Sequence, residues 1–386
     1  MNLSLTEEQQ AFQEAARDFA ANELAPFAGE WDSKKHFPKE TLKKAAELGF
    51  MGVYTSEASG GIGLKRLDAA IIFEELAKGC TSTTTYITIH NMVTWMIDEF
   101  ANDETKAEFC PKLCAGELLG SYCLTEANSG SDAASLKTKA QKDGDHYILN
   151  GSKAFVSGGG ATDVLIVMAR TGDDTPKGIS AFVVPTNLEG VSYGEQEKKM
   201  GWNSQPTCVI NLDNVKIPAS YLLKEEGYGF NIAMKGLDGG RINIGTASVG
   251  TAQAAIEASQ RYMSERKQFG KTLDRFQALQ FRFADMVTEN IASRQMIRLA
   301  AYKLDQNDPD ASVYCAMAKR FATDKGFEIC NEAIQLLGGY GYTQEYPVER
   351  YMRDSRVHQI LEGTNEIMRV IIARKAFDSD VLKRLY

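Results

Sequence analysis

At 386 residues the chain exceeds what one small core fills, and a prior of about 100 to 200 residues per domain predicts two or three units. Lys and Arg number 43 against 51 Asp and Glu, a net charge of -8, so no basic excess points to nucleic acid or an anionic membrane surface. The 7 cysteines are an odd, scattered set and only 4 His occur, which argues against a disulfide framework and a His-rich metal centre, and a Ser/His/Asp hydrolase lacks its Gly-x-Ser-x-Gly elbow.

In chain order, Met1 to Glu8 has neither the basic flank and apolar core of a secretory signal nor the Arg-rich character of a transit peptide. A cytoplasmic protein, or a processed mitochondrial-matrix form, is expected. Apolar runs such as Val164 to Ala169 fall far short of the ~20 residues that span a bilayer. From Thr6 to about Phe109 the signals are helical: Ser4 or Thr6 before an acidic first turn, Phe12, Phe19 and, past a break at Pro26, Leu42, Ala45 and Leu48. The glycines of Ser59-Gly60-Gly61-Ile62-Gly63 permit a tight loop between helices.

From Tyr122 to about Pro218 short β-rich runs take over: Tyr147 to Leu149, Val164 to Met168, Ala181 to Val184 and Cys208 to Leu212. Turn signals separate them at Asp143-Gly144, Asn150-Gly151 and Gly158-Gly159-Gly160, which predicts an all-β insert of sandwich or barrel type. From Gly229 the helical period returns, with Ile242, Val249, Ile256 and Met263 at intervals of seven, Phe283, Val287 and Ile291 at intervals of four, and a hairpin break from Asp305 to Asp310. A four-helix bundle is the natural packing. The expected class is α+β, with a helical domain over 1–121, a β domain over 122–228 and a helical bundle over 229–386.

Three places carry candidate chemistry. Tyr122-Cys123-Leu124-Thr125-Glu126-Ala127-Asn128-Ser129-Gly130-Ser131-Asp132 offers clustered N–H and O–H donors, as a flavin edge or a phosphate requires, although composition alone favours a polar turn between strands. Glu362 precedes a helix start with Thr364 as its N-cap, and alone it reads as a solvated loop carboxylate. Arg266, before Gln268-Phe269-Gly270, reads alone as an ordinary helix charge.

The first of these runs, with Thr125-Glu126 and Gly130-Ser131-Asp132, resembles the first signature of the acyl-CoA dehydrogenase family. A second signature stands at Gln335-Leu336-Leu337-Gly338-Gly339-Tyr340-Gly341-Tyr342, with Glu345, Arg350 and Asp354 in register. The likeness covers essentially the whole chain, and the family's α, β, α order matches the three regions. Four further runs, Gly79 to Thr84, Ile89 to Met92, Gly201 to Thr207 and Gly239 to Ile244, are similar to the branch of the family that acts on isobutyryl thioesters.

The resemblance implies an FAD enzyme that desaturates an acyl-CoA. It puts Tyr122, Leu124, Thr125, Gly130 and Ser131 along the isoalloxazine, with Ser131 also near the CoA portion. Phe155, Val156 and Ser157 stand where many relatives have Trp-Ile-Thr, so that Ser157 keeps a hydroxyl for the flavin and Phe155 an aromatic wall. Relatives also have Pro-Gly where this chain has Ala127-Asn128, and Asn tolerates the φ > 0 such a turn asks for.

Arg266, Gln268, Phe269, Phe276 and Gln277, together with Gln335, Leu336, Leu337, Gly338 and Gly339, resemble the segments that reach the FAD of a neighbouring subunit, which implies a homotetramer with shared sites. Thr364, Asn365 and Glu366 match positions at the adenosine end. Asp238, Gly239, Gly240, Arg241 and Arg374 match positions lining the CoA passage, with Arg241 equally readable as a bundle salt-bridge partner.

Glu362 matches the carboxylate that removes the α-proton. Some relatives supply it from the position of Gly240, which here has no side chain to act. Burial is expected to raise the Glu362 pKa and the adjacent helix start to lower it, with desolvation winning when substrate is bound. The implied reaction is isobutyryl-CoA to methacrylyl-CoA, as in valine breakdown, with electrons leaving to an electron-transfer flavoprotein. Thioesters of 2-methylbutyrate, butyrate or isovalerate, an oxidase variant and a non-catalytic helical scaffold are the alternatives. The Ser/Thr-rich stretch from Thr81 to Thr88 offers no cation for a second carboxylate, so a neutral acyl chain is expected.

Overall fold

Thr6 starts the first helix, α1 (Glu7–Phe19): its hydroxyl accepts from the Gln9 N–H at 3.1 Å while the Gln9 side chain accepts from the Thr6 N–H at 3.2 Å. The computed structural model describes residues 4–385; Met1, Asn2 and Leu3 of the amino-terminal reading, and the final Tyr386, lie outside the described residues. After α1 come α2 (Ala28–Lys34), α3 (Lys39–Glu47), α4 (Arg66–Gly79), α5 (Thr81–Phe100) and α6 (Asp103–Cys114). The Thr-rich α5 is almost wholly buried, and Thr85 and Thr88 satisfy their hydroxyls on carbonyls of their own helix at 2.8 Å.

Seven strands follow: β1 (Gly120–Cys123), β2 (Lys139–Asp143), β3 (His146–Ser157), β4 (Val164–Arg170), β5 (Ile179–Pro185), β6 (Val191–Tyr193) and β7 (Thr207–Pro218). They form one sheet of order β1-β4-β2-β3-β7-β6, with β5 paired to β4, and β1 parallel to β4. Alternation along β4 explains its depth. Val164, Ile166 and Met168 join a core with Met92, Val93 and Met96 of α5, whereas Leu165, Val167 and Ala169 join the sheet's own core with Phe182, Val184 and Ile210. Asn150-Gly151 is not a turn. It lies inside β3 at a bulge, where Gly151 lets the strand press on Thr138: a Cβ there would stand 2.7 Å from the Thr138 Cα.

The last region has three long helices, α7 (Gly229–Glu265), α8 (Gln277–Asp305) and α9 (Ala311–Leu337), then α10 (Val348–Arg356), a shorter α11 (Asn365–Ala376) that packs on α9, and α12 (Ser379–Arg384). A two-stranded ribbon, β8 (Lys267–Gln268) and β9 (Lys271–Thr272), leaves the end of α7. Ile242 and Val249 enter one bundle core, Ile256 and Met263 the next. On α8 the buried face runs through Met286, Asn290, Ser293, Ile297 and Ala300. Phe283 and Val287 reach the core only at its edge, and Ile291, 49 % exposed, turns outward. Asp305 caps α4 rather than merely ending α8, accepting from the Arg66 and Leu67 N–H groups at 2.8 and 3.0 Å. The 7 cysteines are all buried and unpaired, and no helix of the described residues is long and apolar enough to cross a membrane.

Candidate active site

Glu362 sits in the loop between α10 and α11. It has φ 55° and the following Gly363 φ 84°. Two successive left-handed residues reverse the chain sharply, and for a glutamate that conformation is strained. Thr364 then caps α11, its hydroxyl accepting from the Ile367 N–H at 3.3 Å. The reversal turns the carboxylate onto α7: a Cβ on Gly240 would stand 2.3 Å from Glu362 Oε2. The glycine is thus required by the carboxylate, besides lacking a base of its own. Oε2 is buried and has no hydrogen-bond partner. Burial pushes the Glu362 carboxyl up to about 7, against the lowering influence of Arg241 and Lys319.

Those two cations hold the loop from below. The buried Arg241 lies 2.5 Å from Asp238 Oδ1, and its Nε is 3.5 Å from the Glu362 carbonyl oxygen. Asp238 also accepts from the Ser312 hydroxyl at 2.9 Å. Arg241 makes a salt bridge with Asp238 of its own helix. Lys319, from α9, donates to the Gly363 carbonyl at 2.8 Å and to Asn365 Oδ1 at 2.9 Å, and is wholly buried. Sequence reasoning missed it. The available signal was a lysine at a helical position shared with Cys315, Ala316, Ala318 and Ala322, all core positions of α9.

Facing Glu362 is Tyr122 of β1, whose buried hydroxyl also lacks a partner and whose phenol is pushed well up by burial, with the charge of Glu362 adding to the shift. The rest of the first signature is fastened to β3: the Ala154 N–H donates to the Thr125 carbonyl at 2.8 Å, the Ser121 hydroxyl to the Ser157 carbonyl at 2.6 Å, and Lys153 Nζ to the Leu124 carbonyl at 3.1 Å. Lys153, buried and also unforeseen, pairs with Glu126 at 2.8 Å, and Glu126 in turn accepts from the Lys137 and Thr138 N–H groups.

Glu126 and Ser129 exchange backbone hydrogen bonds across Ala127-Asn128, and neither central residue has positive φ. The turn therefore closes without the left-handed residue expected of Asn128. That conformation falls instead on Phe155, at φ 56° and 66 % exposed, beside a second bulge in β3. Val156 is buried beneath it, while Gly130 and Ser131 are exposed. Next to Gly240, Gly239 makes room for another unforeseen cation. Arg66 lies 3.6 Å from the Tyr54 ring centroid, its Nη1 buried and unpartnered, and a Cβ on Gly239 would stand 2.5 Å from that atom.

The remaining predicted residues lie elsewhere. Arg266, Gln268, Gln335, Leu336, Leu337, Gly338 and Gly339 meet with Tyr262 and Tyr340 around a cavity of about 550 Å³ at the far end of α7. Gly240 and Glu265 are 25 positions apart on that helix, roughly 38 Å at 1.5 Å per residue. Phe269 is 94 % exposed, edge-on to Phe276, and Gln277 starts α8. Asn365 is spent on Lys319, Thr323 and Asp324, Glu366 is exposed beside Arg369, and Arg374 is exposed in the last turn of α11, away from Glu362.

Three family profiles match the chain: "Acyl-CoA dehydrogenase, N-terminal domain" at residues 6–117, the middle domain at 121–215 and the C-terminal domain at 227–377. The mitochondrial isobutyryl-CoA dehydrogenase of Bos taurus is 55% identical, over 97% of this chain and 90% of the relative, and that of Dictyostelium discoideum is 52% identical over 98% and 91%. Among solved structures, the butyryl-CoA dehydrogenase of Megasphaera elsdenii superimposes with a TM-score of 0.95 at 39% identity, covering 98% of this chain and 100% of that one.

Proposed function

Because the chain belongs to the acyl-CoA dehydrogenase family, FAD-dependent oxidoreductases that desaturate acyl-CoA thioesters, we propose that its substrate is isobutyryl-CoA and that Glu362 removes the α-proton. The single observation that carries the role of Glu362 is its Oε2, buried, unpartnered and seated on a glycine of α7. Burial leaves a carboxyl at about 7, a base poised near neutral pH for a weakly acidic C–H. The Glu362 N–H donates no hydrogen bond among the described residues, and it is the donor this chain has for the thioester oxygen as charge develops there.

The residues present fit FAD. Tyr122 brings an orphaned hydroxyl opposite the base, Gly130, Ser131 and Phe155 line an open face, and Ser157 stands beside them. FAD, when bound, supplies the acceptor for the hydride that leaves the β-carbon. Leu124, Thr125 and Val156 form the bed of that face, and Lys153 with Glu126 keeps it rigid. Asp238, Gly239 and Gly240 border the acyl-CoA passage, with Arg241 as their internal brace.

The cavity of Arg266, Gln268 and Gln335 to Gly339 is too far from Glu362 to serve the same cofactor within one protomer. We therefore assign it, with Phe269, Phe276 and Gln277, to the FAD of a neighbouring subunit in a homotetramer. Thr364 and Asn365 act on the loop from within, and Glu366 and Arg374 are left as surface candidates for FAD and CoA contacts. An electron-transfer flavoprotein is the proposed electron acceptor, and the cytoplasm or the mitochondrial matrix the proposed location.

The acyl group rests on the isobutyryl-CoA dehydrogenases at 52% and 55% identity. One observation favours a second reading: Arg66 puts an unpartnered buried donor beside Gly239, a cation that α5 does not supply, and so a partner for an acyl chain bearing a carboxylate. Relative kcat/KM over isobutyryl-, 2-methylbutyryl-, butyryl-, isovaleryl- and glutaryl-CoA tests the choice. Isobutyryl-CoA should lead, with one methylene worth about 1 to 3 kcal/mol; a glutaryl-CoA preference would transfer the role to Arg66 and overturn it.

A further inference from the structure

Lys319 is a wholly buried ammonium whose two acceptors, the Gly363 carbonyl and Asn365 Oδ1, are both neutral. A buried charge without a counter-charge is costly, and the cost is reduced by whatever opposite charge lies near. For Lys319 that charge is Glu362, first among the groups that favour its protonated form. The acceptors are equally specific. Gly363 is the second left-handed residue of the reversal, and Asn365 is fixed from the same helix by Thr323 at 2.9 Å and Asp324 at 2.6 Å.

From these contacts we infer that Lys319 is the positioning residue of the base, tying the Gly363 carbonyl to α9 so that the strained loop keeps the Glu362 carboxylate over Gly240 and ionised. The inference rests on the reading of Glu362 as the base. Without the tether, two left-handed residues in succession have little reason to persist, since a glutamate is strained at positive φ and relaxes to φ < 0. With it, the ammonium opposes the rise that burial imposes on Glu362. The compensation is mutual, because burial pulls Lys319 down to about 7 while Glu362 holds it up.

The charged and titratable groups around this pair come from every neighbouring element: Asp238 and Arg241 on α7, Arg320 and Asp324 on α9, Glu366 and Arg369 on α11, His358 ahead of the loop, Tyr122 on β1, and Tyr54 with Arg66 across the site. Arg241 is already matched by Asp238, and Arg320 and Arg369 by Asp324. Lys319, unlike Arg241, Arg320 and Arg369, has no carboxylate of its own among the described residues, and Arg66, which also has none, is stacked on Tyr54 across the site, so the removal of Lys319 falls on Glu362. When Glu362 takes up a proton, Lys319 loses the opposite charge that favours it most, which favours returning that proton to solvent before the next turnover.

The test compares Lys319→Met and Lys319→Gln in the flavin-loaded enzyme. Both remove the charge; Gln keeps one N–H donor for the Gly363 carbonyl. Both should lower kcat at pH 7, by roughly 10- to 100-fold for a displaced base, and move the acid limb of kcat/KM to higher pH. At high pH the Gln variant should recover more of kcat than the Met variant. Asn365→Ala, which keeps the charge and loosens the tether, should lower kcat with the limb unmoved, and it decides the matter if neither Lys319 variant folds. Flavin content, read in the same samples, separates loss of cofactor from loss of the tether. Wild-type kcat and an unmoved limb in flavin-loaded variants overturn the proposal. If Glu362→Gln is inactive while the Lys319 variants are normal, only the tether fails; if Glu362→Gln is fully active, the assignment of the base fails with it.

Discussion

A carboxylate that must accept a proton from carbon needs a high pKa without losing its charge at working pH, and Glu362 meets both demands by burial against two cations. Its pKa of about 7 makes the activity prediction directional. The base works deprotonated, so kcat/KM of the free enzyme should rise tenfold per pH unit below about 7 and level off above it; a flat profile from pH 5 to 8 would contradict the assignment. The stability sign is opposite. A carboxyl whose folded pKa stands above its ordinary 4.5 binds its proton more tightly when folded, so its contribution to stability is present at low pH and lost as pH rises through about 7. The enzyme is active where this residue is least favourable to the fold, a conflict common at functional sites.

At the scale of elements, β3 and α7 carry the site. Phe155 occupies a left-handed conformation at a bulge of β3 with its ring mostly exposed. Replacing it by Gly removes strain of roughly 1 to 2 kcal/mol and adds unfolded-chain entropy of roughly 0.5 to 1 kcal/mol. The Phe155→Gly variant should therefore melt within about 4 °C of the parent while turning over more slowly. A large drop in Tm with full turnover would mean the ring serves packing instead.

The elements most legible in the sequence were those whose side chains sort by period: β4 alternates between two cores, and α7 carries its seven-residue repeat from one bundle core into the next. Asn150-Gly151 misled because a bulge uses the same residues as a turn, and the stripe on α8 misled because a helix at a molecular edge can expose apolar side chains. Lys153 and Lys319 stayed hidden because a buried cation is legible only through its partner, and Glu126 and Gly363 lie 27 and 44 positions away; Arg66 stayed hidden because its contact is the Tyr54 ring rather than a carboxylate.

Over the whole molecule, the proposed assignment divides the cofactor chemistry between two places roughly 38 Å apart along α7, and Phe269, Tyr342 and Phe377, each more than four-fifths exposed, show apolar rings to solvent. On that assignment a protomer alone offers an incomplete site together with exposed apolar rings, which association would complete and cover. Dilution should then release flavin and subunits together, followed by flavin fluorescence and light scattering; flavin retained in a monomer would contradict the shared site. The most direct test of the account as a whole is anaerobic mixing of the flavin-loaded protein and its Glu362→Gln variant with isobutyryl-CoA. The parent should bleach in its visible flavin band within the first turnover, and the variant should bind the thioester without bleaching. A variant that bleaches like the parent, or a parent that no acyl-CoA bleaches, would contradict it.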